Sequence, residues 1–422
     1  MNAECAHTWN RQMYRLAAGL ALSGLVLVGC GQSTEDPGAS SPPSAAVSVS
    51  PLPADEMAAA DAQPIDELAE AVMAEIGEAE MPSLILGVWE PGKGTYRAAY
   101  GVGDREGDVA ASVDDAFRVG SITKTFVATT VLRLAADGQL DLDEPISTYA
   151  PDLAGQYPEI GERTPRQLLA MRSGLPDFEA AVVGGIAADP ERTQKAWTST
   201  ELIDVALDSG EVTQADAEPA SYINTNYVVL GDMVSEVTGT PVGDVVTEQL
   251  ITPLGLDRTR YPAADDTSLV APFTRGYVPP SQVTAGDFTA EGGTIEPGTD
   301  VTDWTASWGG AAGIMDSTLD DLAVWASSDF GSGLLPADLV EQRNETTPLD
   351  QVGEYGLGLQ QLGPWQGHLG GIPGWSTLAM RNPDTGAVVV MATNAEGATL
   401  AHLALLQQLY PDTVELYSAA ES

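Results

Sequence analysis

Ser121 and Lys124 stand three residues apart at the start of an apolar helical pattern, Ser121-Ile122-Thr123-Lys124. At that spacing both side chains rise from one face of a helix. An unprotonated amine so placed would take the hydroxyl proton and leave the serine oxygen free to attack a carbonyl carbon. Serine with a lysine base is a known alternative to the Ser-His-Asp arrangement. Lysine is scarce in this chain, occurring only at Lys93, Lys124 and Lys195.

Two further stretches carry chemistry, Tyr222-Ile223-Asn224-Thr225-Asn226-Tyr227 and Gly367-His368-Leu369-Gly370-Gly371-Ile372-Pro373-Gly374. A tyrosine relays protons if nearby cations lower its pKa, and an asparagine amide holds a substrate carbonyl or a neighbouring amine. A glycine-rich strand edge offers a backbone N–H to an oxyanion without side-chain obstruction.

These groups need elements to position them. Ile65 to Glu78 has apolar residues at helical spacing, and two strand-like runs follow, Ser83 to Trp89 and Thr95 to Gly101, joined by the turn Pro91-Gly92-Lys93-Gly94. The far end mirrors this with strands Ser376 to Met380 and Ala387 to Ala392 and a helix from Thr399 to Leu409. The two ends are expected to build one antiparallel sheet flanked by terminal helices. Ser121 to about Leu250, punctuated by Gly138, Gly174-Leu175-Pro176 and Gly239, reads as a mostly helical lobe. The fold class is therefore α/β in the broad sense, α+β in detail.

At 422 residues with 43% hydrophobic and 19% charged residues, the chain can bury a large core. With 18 basic against 61 acidic residues, the net charge is −43. A field of that sign repels polyanions, so no nucleic acid partner is expected. The acidic residues are scattered rather than set at metal-ligand spacing, and of three histidines His7 lies in the amino-terminal leader, leaving His368 and His402. No metal or other cofactor is expected.

Arg11 and Arg15 precede an apolar run from Leu16 to Val28, the layout of a secretory leader over residues 1–29. The run ends at Leu27-Val28-Gly29-Cys30, which resembles the lipobox of bacterial lipoproteins. That resemblance implies lipidation of Cys30 and attachment to the outer face of the bacterial cell membrane. Cys5, the only other cysteine, would leave with the leader, so neither a disulfide nor cysteine catalysis is expected. Residues 30–64, rich in Ser, Pro and Ala, read as a flexible tether. The folded domain is assigned to 65–416, with a tail at 417–422.

Taken in order, Ser-x-x-Lys, Tyr-x-Asn and His-x-Gly resemble the serine acyltransferases that include streptomycete D-alanyl-D-alanine carboxypeptidases and class C β-lactamases. The likeness extends through Phe117-Arg118-Val119-Gly120-Ser121, Gly138-Gln139-Leu140-Asp141, Ser173-Gly174-Leu175-Pro176-Asp177, Ala312-Gly313-Ile314 and Tyr355-Gly356-Leu357-Gly358-Leu359. It implies a β-lactamase/DD-peptidase-like fold, and Ser121 as the nucleophile of an acyl-enzyme. The backbone N–H groups of Ser121 and Gly371 would form the oxyanion hole, and Lys124 and Tyr222 would share the base and acid roles. Asn224 would hold the substrate amide and fix Lys124, and His368 would give electrostatic support. Burial and neighbouring cations would push Lys124 toward its neutral form.

Leu369 and Gln360 stand where related carboxypeptidases carry a threonine and an arginine that help bind a substrate carboxylate. Together with Gly370 and Trp308 they are the expected substrate contacts. The expected activity is D-alanyl-D-alanine carboxypeptidase or a related peptidase on cell-envelope peptides. The loss of the carboxylate clamp also points to an esterase, amidase or β-lactamase acting on small substrates without a free carboxylate. A non-catalytic sensing domain is the reading from a different class.

Overall fold

The computed structural model describes residues 49–411, apart from 218–219, 287, 291–292 and 350–352. The leader, Cys30 and the 417–422 tail lie outside the described residues. In chain order, helix α1 (Ala59–Ile76) leads to strands β1 (Ser83–Glu90) and β2 (Gly94–Asp104). Helices α2 (Thr123–Ala136), α3 (Glu179–Ala188) and α4 (Thr225–Thr238) and the single turn α5 (Gly310–Gly313) follow. The chain returns through β3 (Gln360–Leu362), β4 (Trp365–Ile372), β5 (Trp375–Arg381) and β6 (Val388–Thr393) to helix α6 (Thr399–Leu409).

The two ends do form one sheet. Val109–Ala110, β2, β1, β6, β5, β4, β3, Gly353–Tyr355 and Thr347–Leu349 lie side by side in that order. The joining pair is antiparallel β1 with β6, in the register Ile85↔Ala392 and Val88↔Val389. Because side chains alternate along a strand, β1 feeds two cores. Leu84, Leu86 and Val88 pack with Val389 and Met391 under α1 and α6, where Ile65, Ala69, Leu405 and Leu406 are buried. Ile85 and Trp89 face the opposite side with Val388, Val390 and Ala392, against the helical lobe. Both faces are covered, so β1 reads as an almost unbroken apolar run.

Helix α2 runs through the middle of the molecule. Every residue from Thr123 to Leu132 is buried, and a helix buried all round has no polar stripe to betray its orientation. Phe126 stacks on Trp325 with ring centroids 4.1 Å apart. The Trp325 indole N–H donates to Thr125 Oγ1 at 2.8 Å.

One boundary differs from the expected layout. Helix α1 starts at Ala59 rather than Ile65. The chain before it is already docked, with Met57 N–H donating to the Thr95 carbonyl at 2.8 Å and Thr95 Oγ1 to the Pro53 carbonyl at 2.6 Å. Both run to main-chain carbonyls, which the Ser/Pro/Ala composition of a tether does not reveal. Among the described residues no helix is long and apolar enough to cross a membrane.

Candidate active site

Gly120–Ile122 form a short 3-10 turn that runs directly into α2. The nucleophile candidate Ser121 therefore sits at the positive end of that helix, and Lys124 lies in its first turn. Gly120 makes the placement possible. Its φ is +51°, and a Cβ there would fall 2.6 Å from the carbonyl oxygen of Gly371. The turn thus lies directly against the backbone of β4, and Ser121 and Gly371 border one narrow slot.

Lys124 is fully buried, and its Nζ has three oxygen neighbours: Ser121 Oγ at 2.8 Å, Asn224 Oδ1 at 2.7 Å and the Ala312 carbonyl at 2.9 Å. A neutral amine has two hydrogens and one lone pair. The amide and carbonyl oxygens can only accept, so they take the two hydrogens, and the lone pair is left for the Ser121 hydroxyl proton. Burial lowers Lys124 to about 7, while Glu179 and Asp177 oppose that shift. The expected crowd of cations is not the cause: the charged groups acting on Lys124 are carboxylates, and desolvation outweighs them.

Tyr222 packs over the same amine, with Nζ 4.9 Å from its ring centroid. Its hydroxyl is buried without a hydrogen-bond partner of ordinary geometry among the described residues. Burial pushes the phenol well above the usual tyrosine range, a shift that the adjacent Ser121 hydroxyl partly opposes. Tyr222 therefore keeps its proton, as a donor rather than a base.

Asn224 stands at the N-cap of α4. Its amide nitrogen donates to Glu179 Oε2 at 2.8 Å and more distantly to Asp177 Oδ1 at 3.4 Å. Its backbone N–H donates to Asp177 Oδ2. Asp177 Oδ1 also accepts from the Glu179 N–H at 2.8 Å, at the start of α3. Glu179 lines the slot together with Ser121, Asn224, Trp308 and Gly371, and Lys124 lies directly behind Ser121 and Asn224. The slot is tight, about 20 Å³, room for about one water.

The remaining expected residues divide. Trp308 walls the slot. His368 is fully buried one layer behind the amine, with Nε2 3.0 Å from the Tyr355 hydroxyl and Nδ1 against the Leu369 carbonyl. Burial, helped by Lys124, lowers it to about 3. It is neutral at working pH, so the expected electrostatic support cannot come from a positive charge.

Gln360, Leu369 and Gly370 do not line the slot. The buried Gln360 side chain accepts from the Leu369 N–H at 2.7 Å, and the Leu369 side chain faces the α1 and α6 core. A Cβ at Gly370 would fall 2.1 Å from the Val119 carbonyl oxygen, so this glycine serves close packing. Strand alternation explains the split: His368 and Leu369 are neighbours on β4, and only one of them can face the helical lobe.

Sequence reasoning missed Glu179 and gave Asp177 no role. An acidic residue in the first turn of a helix reads as a partner for the helix dipole, and nothing local to α3 reveals that it also faces a serine on another helix. The Ala312 carbonyl, a backbone atom, has no sequence signature at all.

The family model described as Beta-lactamase matches residues 65–409. Penicillin-binding protein 4 of Amycolatopsis lactamdurans is 30% identical over 183 residues, which are 43% of this chain and 45% of that protein. Protein flp of Staphylococcus aureus strain N315 is 27% identical over 209 residues, 49% of this chain and 39% of that protein. The matches therefore span less than half the length of these curated relatives.

Among solved structures, D-amino acid amidase from Ochrobactrum anthropi SV3 complexed with D-phenylalanine superposes with a TM-score of 0.70 at 26% identity, covering 82% of this chain and 99% of that one. D-stereospecific amidohydrolase from Streptomyces sp. superposes with a TM-score of 0.69 at 27% identity, covering 83% and 99%.

Proposed function

The chain belongs to the β-lactamase family of serine hydrolases, and from that premise we propose that it is a serine amidohydrolase acting on small amides or peptides whose acyl side carries a free amine. The observation that carries the choice is Glu179 on the wall of the Ser121 slot, with Asp177 behind it and Lys124, buried beneath Ser121 and Asn224, as the basic side chain bonded to that lining. A carboxylate on that wall attracts an ammonium group and repels a second carboxylate, strongly where water is scarce. The same charge distribution disfavours a substrate with a free carboxylate such as D-alanyl-D-alanine. The two amidohydrolase structures support amide chemistry and, through their names, substrates of D configuration.

The reaction runs on the groups already placed. Lys124 takes the Ser121 proton as Oγ attacks the amide carbonyl, and the oxyanion forms between Ser121 and Gly371, whose N–H groups are the donors for it. Tyr222 and the protonated Lys124 return a proton to the leaving nitrogen as the C–N bond breaks, giving an acyl-enzyme and a free amine. Water then adds to the ester with Lys124 as base. The Ser121–acyl bond breaks as Lys124 hands that proton to the departing Ser121 Oγ, which restores the neutral amine and the serine hydroxyl and releases the carboxylic acid.

The test compares D-phenylalanine amide, its N-acetyl form, an acyl-D-Ala-D-Ala peptide and a short aryl ester on wild type and Ser121→Ala. The free-amine amide should be cleaved best, and every activity should vanish with Ser121. Equal rates on the acetylated amide would sink the charge argument, and fast peptide cleavage would restore the carboxypeptidase reading.

We also propose that the enzyme works on the outer face of the cell membrane, held by a lipid on Cys30 and its tether, as the lipobox-like stretch supports. Cys30→Ala should lose radiolabelled palmitate and leave the membrane fraction. Unchanged membrane retention would refute the anchor.

A further inference from the structure

A second cavity, about 460 Å³, opens on the far side of the wall that carries Trp308 and α5. Along this wall the residues alternate. Trp308, Gly309, Ala312 and Gly313 line the catalytic slot, while Ser307, Gly310, Ala311 and Ile314 line the cavity. One turn of backbone separates the two spaces, and they share no lining residue. The size suits a small organic ligand.

The walls are largely apolar, built by Trp197, Leu202, Val228, Val242, Pro262 and Ile314. Set among them is Asp232 on α4, whose carboxylate is held by Ser199. Among the described residues no lysine, arginine or histidine lines the cavity, and Asp244 stands at its exposed rim. Burial and nearby Glu236 push the Asp232 carboxyl up to about 6, so it stays largely ionised at neutral pH without a cation to pair it. A half-buried carboxylate with one hydroxyl donor has unused acceptor capacity, and an apolar chamber around it suits one kind of guest.

We propose that this cavity is a binding site, separate from the catalytic slot, for a compact hydrophobic amine whose ammonium group pairs with Asp232 while its apolar body fills the chamber. Direct pairing of the charges in a partly dry site is the source of selectivity over a neutral isostere.

Isothermal titration of the full chain with tryptamine and with its uncharged analogue tryptophol tests this. Tryptamine should bind saturably and at least tenfold tighter than tryptophol, the fold-change expected from one charge-assisted hydrogen bond. Asp232→Asn should abolish that difference, and Ala263→Trp, a bulky group at the exposed mouth, should weaken both ligands. Glu179→Gln should leave tryptamine binding as in wild type. Thermal melts of each variant establish that it is folded.

Equal tryptamine affinity in wild type and Asp232→Asn would overturn the proposal. So would loss of binding in Glu179→Gln alone, which would put the amine in the catalytic slot. An absence of saturable binding would equally overturn it.

Discussion

Lys124 and Glu179 occupy opposite ends of a single side-chain amide. The Asn224 oxygen accepts from Nζ at 2.7 Å while its nitrogen donates to Glu179 Oε2 at 2.8 Å. The amide orientation follows from the charges, since oxygen must face the amine and nitrogen the carboxylate. The base and the carboxylate on the slot wall are thereby tied together, and a change in one is felt by the other.

Glu179→Gln should act on binding and on ionisation together. Glu179 raises Lys124 against the pull of burial, so its neutralisation lets Lys124 fall further. The acidic limb of the kcat/KM profile should move to lower pH. KM for a free-amine amide should rise about tenfold or more, the loss expected for a charge-assisted contact, while KM for a neutral ester stays near its wild-type value. A limb that moves to higher pH would contradict the assigned sign.

Lys124 itself sets two pH dependences. As the base it must be neutral, so kcat/KM should rise with pH through about 7 and be lost by about 10²- to 10⁴-fold in Lys124→Met. Stability follows a different window. Below pH 7 both folded and unfolded chains carry the lysine proton, and the folded state bears the whole cost of burying the charge. Between about 7 and 10.5 the unfolded chain alone holds that proton, so the cost fades as pH rises. Relative to wild type, Lys124→Met should therefore gain more in melting temperature at pH 6 than at pH 10. A pH-independent difference would argue against a lowered lysine.

His402 offers a cleaner stability test. It is fully buried on α6, both ring nitrogens lack partners among the described residues, and burial lowers it to about 3. Its folded pKa lies below the unfolded value of 6.5, so stability declines as pH falls from 6.5 toward 3. His402→Leu removes an unpartnered polar ring, and should raise the melting temperature at neutral pH and flatten part of the acid decline. The gain at pH 4 should exceed that at pH 7 by on the order of a few kcal/mol. Scanning calorimetry at the two pH values measures it.

Gly120→Ala probes the approach of the nucleophile turn to β4. The added methyl meets the Gly371 carbonyl at a φ of +51°, a conformation that costs a non-glycine residue about 1 kcal/mol before any clash. The variant should lose most of its kcat with a modest drop in melting temperature, because the displaced turn carries Ser121. Burst amplitude against an aryl ester would read the loss directly, and an undiminished burst would mean that the close approach is dispensable.

What the sequence disclosed depended on how local each signal was. The Ser121 and Lys124 spacing lies within one helical turn, and the terminal strands announce themselves by apolar runs, so both were legible. Asn224 was placed through a tripeptide. The contacts that complete the site join residues 100 and 188 positions apart, Lys124 with Asn224 and with the Ala312 carbonyl, and such pairings leave no periodic trace. Gln360 and Leu369 misled because a motif position says nothing about which face of a strand a side chain takes.

The pairing of β1 with β6 closes the molecule across its whole length, Ser83 Oγ donating to Asn394 Oδ1 over 311 positions. A chain made amino end first exposes Ser121 roughly tens of seconds before the strand that seals the sheet has been synthesised. Until then β4 has no complete frame to hold Gly371 against Gly120. Hydrolytic competence is thus a property of the finished polypeptide: a product cut short before β6 carries the nucleophile and its base but lacks the anvil against which they work.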